Sequence, residues 1–125
     1  MSPSAPPIIT AEVVFLRGDE GGRTRPPIFD RQHRYMPHVV VQSRAVRRSV
    51  TDPDGVNREP YQGVAFLEGP PNYVAGDAGQ FVLELMYYPD VLYADVRPGT
   101  TFTVREGGKI VGHGVVISRK DAAAA

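Results

Sequence analysis

The stretch Thr101-Phe-Thr-Val-Arg-Glu-Gly-Gly-Lys-Ile-Val-Gly-His-Gly-Val-Val-Ile-Ser118 carries the fold reading. Phe102, Val104, Ile110 and the run 115–117 are aromatic or β-branched and largely spaced for strands. Gly107 and Gly108 separate the two runs, and paired glycines supply the positive φ angles of a two-residue hairpin turn. Gly112 and Gly114 interrupt the second strand, where a missing side chain permits a bulge or a close backbone approach. The segment therefore reads as a β-hairpin with a glycine-thinned second arm.

Working outward, the other segments follow the same logic. Residues 8–17 form a strand by β propensity, carried by Ile9, Val13, Val14, Phe15 and Leu16. Gly18-Asp-Glu-Gly-Gly22 is a loop, and residues 36–43 begin a second strand. In Asp52-Pro-Asp-Gly55, Pro53 presets φ for the first central turn position and Gly55 suits the last. The polar arms on either side, 42–50 and 56–62, are expected to form a long hairpin that protrudes from the body. Residues 63–67 return to the core. In 80–88, Phe81, Leu83 and Leu85 alternate with Val82, Glu84 and Met86, the period of a half-buried strand. Residues 91–96 are expected to add a short strand. No stretch keeps a helical period over three turns. Six or seven strands punctuated by turns imply an antiparallel sandwich or a closed barrel, and closure removes exposed sheet edges.

Composition narrows the function. A chain of 125 residues fits one domain, and its 13 glycines and 12 prolines favour turns over long helices. Fourteen basic and fourteen acidic residues give no global electrostatic reason for a nucleic-acid or membrane partner. Absence of cysteine excludes disulfides and thiolate metal sites and is compatible with a reducing cytosol. No apolar run approaches a membrane span, and the N-terminal residues lack a signal-peptide pattern. A cytoplasmic protein is expected. Charge is nonetheless uneven. Between Arg23 and Arg48 lie seven arginines (at 23, 25, 31, 34, 44, 47 and 48) and one acid, Asp30, a local net of +6. From Tyr61 onward there are five basic and seven acidic residues.

Chemical constellations are sparse. Asp52, Asp54, Asn57 and Glu59 fail the spacing of a calcium loop, and the turn explains them better. His33, His38 and His113 show no metal-ligand spacing. Tyr87, Tyr88 and Tyr93 offer stacking faces or barrel wall. There is no phosphate-binding Gly-rich loop, no nucleophile elbow and no paired carboxylates, so neither enzyme activity, cofactor, metal nor nucleotide is expected.

Several motifs together resemble one family. Ala11-Glu-Val-Val-Phe-Leu16 with Asp19-Glu-Gly-Gly-Arg23, then Tyr35-Met-Pro37, Gly76-Asp77 and Phe102-Thr-Val-Arg-Glu-Gly-Gly108, are similar in order to the C-terminal, third β-barrel domain of elongation factor Tu. The resemblance spans residues 9–118. It implies an all-β fold, a closed six-stranded antiparallel Greek-key β-barrel; the residues add one extended hairpin, longer than the family's, and the barrel is expected to stand alone without the GTPase domain. With a Pro- and Ser-rich start and an alanine end too short to hold a helix, the chain is expected to divide into a disordered tail at 1–7, the barrel at 8–119 and a frayed tail at 120–125. The resemblance also implies a module that touches tRNA, other RNA or the translation machinery; the missing catalytic motifs make it non-catalytic, and a monomer is expected. Residues matching the family's tRNA-contacting loops are Arg23, Glu106 and Gly107. With Arg25, His38, Arg44, Arg47, Arg48 and Lys109 they form the expected binding set. Thr24, Met36 and His38 depart from the family's residues, and these departures favour an alternative, a protein-interaction adaptor or decoy that binds no RNA.

Overall fold

The computed structural model describes residues 5–25, 27, 32 and 34–121. Arg31 and His33, most of the N-terminal tail and the last four alanines lie outside them. Seven strands follow in order: β1 (Ile8–Phe15), β2 (His38–Val41), β3 (Gln62–Gly63), β4 (Ala65–Glu68), β5 (Ala78–Glu84), β6 (Thr101–Glu106) and β7 (Lys109–Lys120). Helix is confined, among the described residues, to one 3-10 turn, Gly18–Glu20, where a loop was expected. The fold is all-β.

All pairings are antiparallel, and the strands form one curled sheet in the order β3-β2-β6-β7-β1-β5-β4, a half-barrel. Its spine is the hairpin β6–β7. Gly107 at φ 60 takes the first central turn position, whereas Gly108 stays out of the left-handed region. One glycine, not two, supplies positive φ. The glycines of β7 do bring backbones close. A Cβ on Gly112 would lie 2.8 Å from the Val14 carbonyl oxygen, and one on Gly114 would lie 2.7 Å from both Glu12 O and Phe102 Cζ. Two bulges also sit on β7. Val111 is the extra residue opposite Val104 and Arg105, and Ile117 is the extra residue opposite Thr10 and Ala11. Each bulge bends the strand and increases its twist, which curls the sheet.

The concave side is filled by alternate residues: Ile9, Ala11, Val13 and Phe15 of β1, Phe81 and Leu83 of β5 with the following Leu85, and Phe102 and Val104 of β6. The alternation read in 80–88 therefore sorts inside from outside as expected. Phe15, Tyr35, Phe66, Tyr73 and Phe81 form an aromatic cluster with ring centroids 5.3–6.1 Å apart. Burying one such ring is worth about 1.5–3 kcal/mol. Pro7 is buried and its carbonyl accepts the Leu85 amide, so the body begins just before Ile8. Strands β3 and β4 are separated by Val64 alone, whose N–H donates to Pro37 O, while the Phe66 N–H donates to Tyr35 O.

Three sequence expectations are corrected. The second strand is shorter than 36–43 and comprises His38–Val41. Residues 91–96 form no strand. Tyr93 is buried there in the left-handed region at φ 54, its hydroxyl donating to Gly63 O at 2.6 Å, and the segment caps the core. The extended hairpin is also absent. The turn closes through Gly55 N to Asp52 O, but no residue of 42–61 belongs to a strand. Side chains bond the local backbone there instead: Ser43 Oγ accepts Ala45 N–H, Asn57 Oδ1 accepts Glu59 N–H, and Glu59 Oε1 accepts Val50 N–H. Such bonds compete with a ladder, and the arms have no apolar face to reward one.

Candidate functional site

The site grows from the β6–β7 turn. Glu106 ends β6 and Lys109 begins β7, so the tight turn places a carboxylate and an ammonium on its two shoulders. The segment after the 3-10 turn lies against the second shoulder. Lys109 Nζ donates to Gly22 O at 3.1 Å, and Gly22 packs so close to Leu16 that a Cβ would meet its carbonyl oxygen at 2.0 Å. Arg23 and Arg25 follow from this anchored glycine.

Arg23 Nη1 lies 2.6 Å from Glu106 Oε2, and the Tyr35 hydroxyl donates to the same oxygen at 2.5 Å. The guanidinium also stands over the Tyr35 ring, 5.4 Å from its centre, and Nε donates to Arg25 O. Burial, then the bond to Glu106, push the Tyr35 hydroxyl far above the ordinary phenol range, so it remains a donor. Arg23, Thr24, Arg25, Glu106 and Lys109 line an open cleft of about 420 Å³. Three cations face one carboxylate. The Arg23–Glu106 pair is partly exposed and adds little to stability; its effect is to fix where the guanidinium sits.

The turn itself meets the segment 42–61. Ser49 Oγ donates to Gly108 O, which seats this segment on the turn. Beneath it lies Arg105, fully buried on β6. Its guanidinium donates to Glu59 Oε1 at 3.0 Å and Oε2 at 2.6 Å, to Gln42 Oε1, to Tyr61 OH, to Ser49 Oγ and to Thr103 Oγ1. Glu59 is itself nearly buried, and the Arg105 bond holds its carboxyl below the usual carboxylate range. Arg44, Arg47 and Arg48 are exposed on this segment, with Arg47 Nη1 donating back to Arg44 O and Val46 O. Among the described residues, none of them, nor Arg25, is ion-paired.

His113 lies on β7, opposite Thr103 of β6 and Val14 of β1. Burial, then Arg47 and Arg44, hold its pKa below the ordinary histidine value, while Glu20 of the 3-10 turn opposes them. Its Nδ1 is buried without a partner among the described residues.

The structure therefore gathers Arg23, Arg25, Glu106 and Lys109 in one cleft, with Gly107 at its turn, while Arg44, Arg47 and Arg48 belong to the separate segment seated on Gly108 through Ser49. His38 does not join them; it lies on β2 with its ring 5.9 Å from Tyr61, at the base of the 42–61 segment. Arg34 pairs with Glu84 away from the turn. Sequence reading missed Arg105, Glu59 and Tyr35 as site residues. A signal for Arg105 existed, since it stands in an apolar strand run where a charge requires a partner. No group of His, Asp and Glu among the described residues could hold a metal ion, and no described helix is long and apolar enough to cross a membrane. No family model matches the chain.

Proposed function

We propose that the chain is a cytoplasmic, non-catalytic, monomeric binding module. Its architecture is related to the C-terminal barrel of elongation factor Tu, and its ligand is RNA or an RNA-bearing component of the translation machinery. Its finer architecture in this reading is a closed six-stranded Greek-key barrel. Support comes from β3 and β4, which, taken as one strand over 62–68, contact β2 on one side and β5 on the other. The observation that carries the functional reading is convergence. Arg23, Arg25 and Lys109 line one cleft at the β6–β7 turn, and the segment that carries the exposed Arg44, Arg47 and Arg48 is seated on the same turn through Ser49. Glu106 lies between them, already engaged by Arg23 and Tyr35. A net-neutral protein with such a face suits phosphates on one side only.

The test is fluorescence anisotropy with a labelled RNA hairpin over a salt series. Binding that weakens steeply with salt, and weakens further when Arg23 and Arg25 are replaced by Ala, supports the reading; no salt-dependent binding sinks it. GTP should give no heat in calorimetry, because the sequence has no phosphate loop. A second reading, a protein adaptor without RNA, is favoured by Tyr87, Val91 and Leu92, which expose apolar side chains within one loop. That mode predicts a partner whose affinity hardly responds to salt.

A further inference from the structure

The element the fold does not need is the segment 42–61. It has no strand, its apolar residues Val50 and Val56 are exposed, and its tip is held mainly by its own ion pair between Arg58 and Asp52. A polar segment of this kind has little burial to offset the entropy of ordering it. Yet it is bound to the barrel by the most buried polar network among the described residues. The Arg105 guanidinium is completely covered, its Glu59 partner nearly so, and Gln42, Ser49, Tyr61 and Thr103 take up its remaining donors. Tyr61 also lies under the guanidinium at 5.3 Å. Glu59 Oε1 reaches across to the Val50 amide, so one carboxylate ties the outgoing and returning arms to the same strand.

The structure assigns Arg105 and Glu59 as a latch that presets the 42–61 segment as a basic arm beside the β6–β7 turn, so that Arg44, Arg47 and Arg48 act with the Arg23 cleft as one phosphate-binding surface. Neither latch residue reaches the ligand; both are positioning residues. The latch lowers the cost of binding because the arm is ordered before the ligand arrives. The ligand class rests on the RNA reading, but the latch does not, and the two fail separately.

The experiment compares the full chain with the Glu59→Gln variant, which keeps the shape and an acceptor for Val50 but removes the charge. Limited trypsin digestion reads the arm directly at Arg44, Arg47, Arg48 and Arg58, with Arg17 and Arg119 as controls. Cleavage that is several-fold faster at the four arm sites and unchanged at the controls supports the latch. Unchanged arm cleavage overturns it. Equal acceleration at arm and controls also overturns it, since the pair would then serve the whole fold. A labelled RNA hairpin is titrated in parallel. An opened arm with RNA affinity reduced to that of the Arg44→Ala, Arg47→Ala, Arg48→Ala triple variant supports the single surface. An opened arm with wild-type affinity overturns it. If the wild-type protein binds no RNA while Glu59→Gln still opens the arm, the latch stands and only the RNA reading falls.

Discussion

At the scale of single residues, two positions have consequences that follow from distance and charge. Gly114 lies where a Cβ would stand 2.7 Å from a main-chain oxygen of β1, and a backbone atom inside a ladder cannot move aside as a flexible side chain can. Gly114→Ala should destabilise the fold by about 1–3 kcal/mol, the usual cost of overpacking, readable as a lower urea midpoint with an unchanged m-value. Gly107, with φ 60 but open space around it, should lose less on replacement by Asn. His113 predicts a pH effect of definite sign. Burial and the neighbouring Arg47 and Arg44 lower its folded pKa below the 6.5 of the free side chain. Above pH 6.5 both folded and unfolded forms are neutral and the residue contributes fully. As pH falls below that value the unfolded chain takes up the proton first, and stability is lost until the folded pKa is passed. Thermal melts should show this decline, and His113→Gln should flatten it.

At the scale of elements, β7 and the 42–61 segment show opposite ways of building irregular structure. In β7, bulges at Val111 and Ile117 turn a long strand into a bent one without breaking either ladder. In 42–61, short polar side chains satisfy the main chain locally and no ladder forms. What holds that segment is electrostatic. Glu59→Ala would leave the Arg105 charge buried without its counter-ion, a change that costs about 3–5 kcal/mol in comparable buried pairs. It should lower the melting temperature far more than Arg48→Ala, whose side chain is exposed. Because Arg105 depresses the Glu59 pKa, the pair is intact above the ordinary value of 4.5 and is lost as pH falls through the lower folded value. Hydrogen exchange at the Val50 amide, which Glu59 accepts, should lose its protection in that acid window while the amides of β1 keep theirs.

For the whole molecule, charge distribution matters more than total charge. The chain is neutral overall, yet Arg23, Arg25 and Lys109 line one cleft at the β6–β7 turn, and Arg44, Arg47 and Arg48 are exposed on the segment that Ser49 seats on the same turn. If RNA lies across that face, each cation that neutralises a phosphate contributes roughly −0.7 to the slope of log affinity against log salt for a single strand. Replacing Arg44, Arg47 and Arg48 together by Ala should then flatten the slope by about 2 and leave the melting temperature nearly unchanged. A triple variant with the original slope would place the phosphates at the Arg23 cleft alone.

Strand positions, the tight turn at Gly107 and the inward set Phe81, Leu83 and Leu85 were legible in the sequence, because local φ preferences and a period of two act over a few residues. The all-β class followed from them. The long hairpin was misread because a turn signal and two flanking arms do not reveal whether the arms pair with each other or with something else. The short strand expected at 91–96 failed for a related reason: Tyr93 is drawn down by Gly63 O, thirty residues away in the chain. The candidate cleft was half legible. Its arginines stood out as a charge cluster, but Tyr35, 71 residues from Glu106, and Arg105, 46 residues from Glu59, acquire their partners only when the sheet curls. Periodicity is written along the chain, whereas the partner of a buried charge is set by which strands become neighbours, and only the tertiary structure decides that.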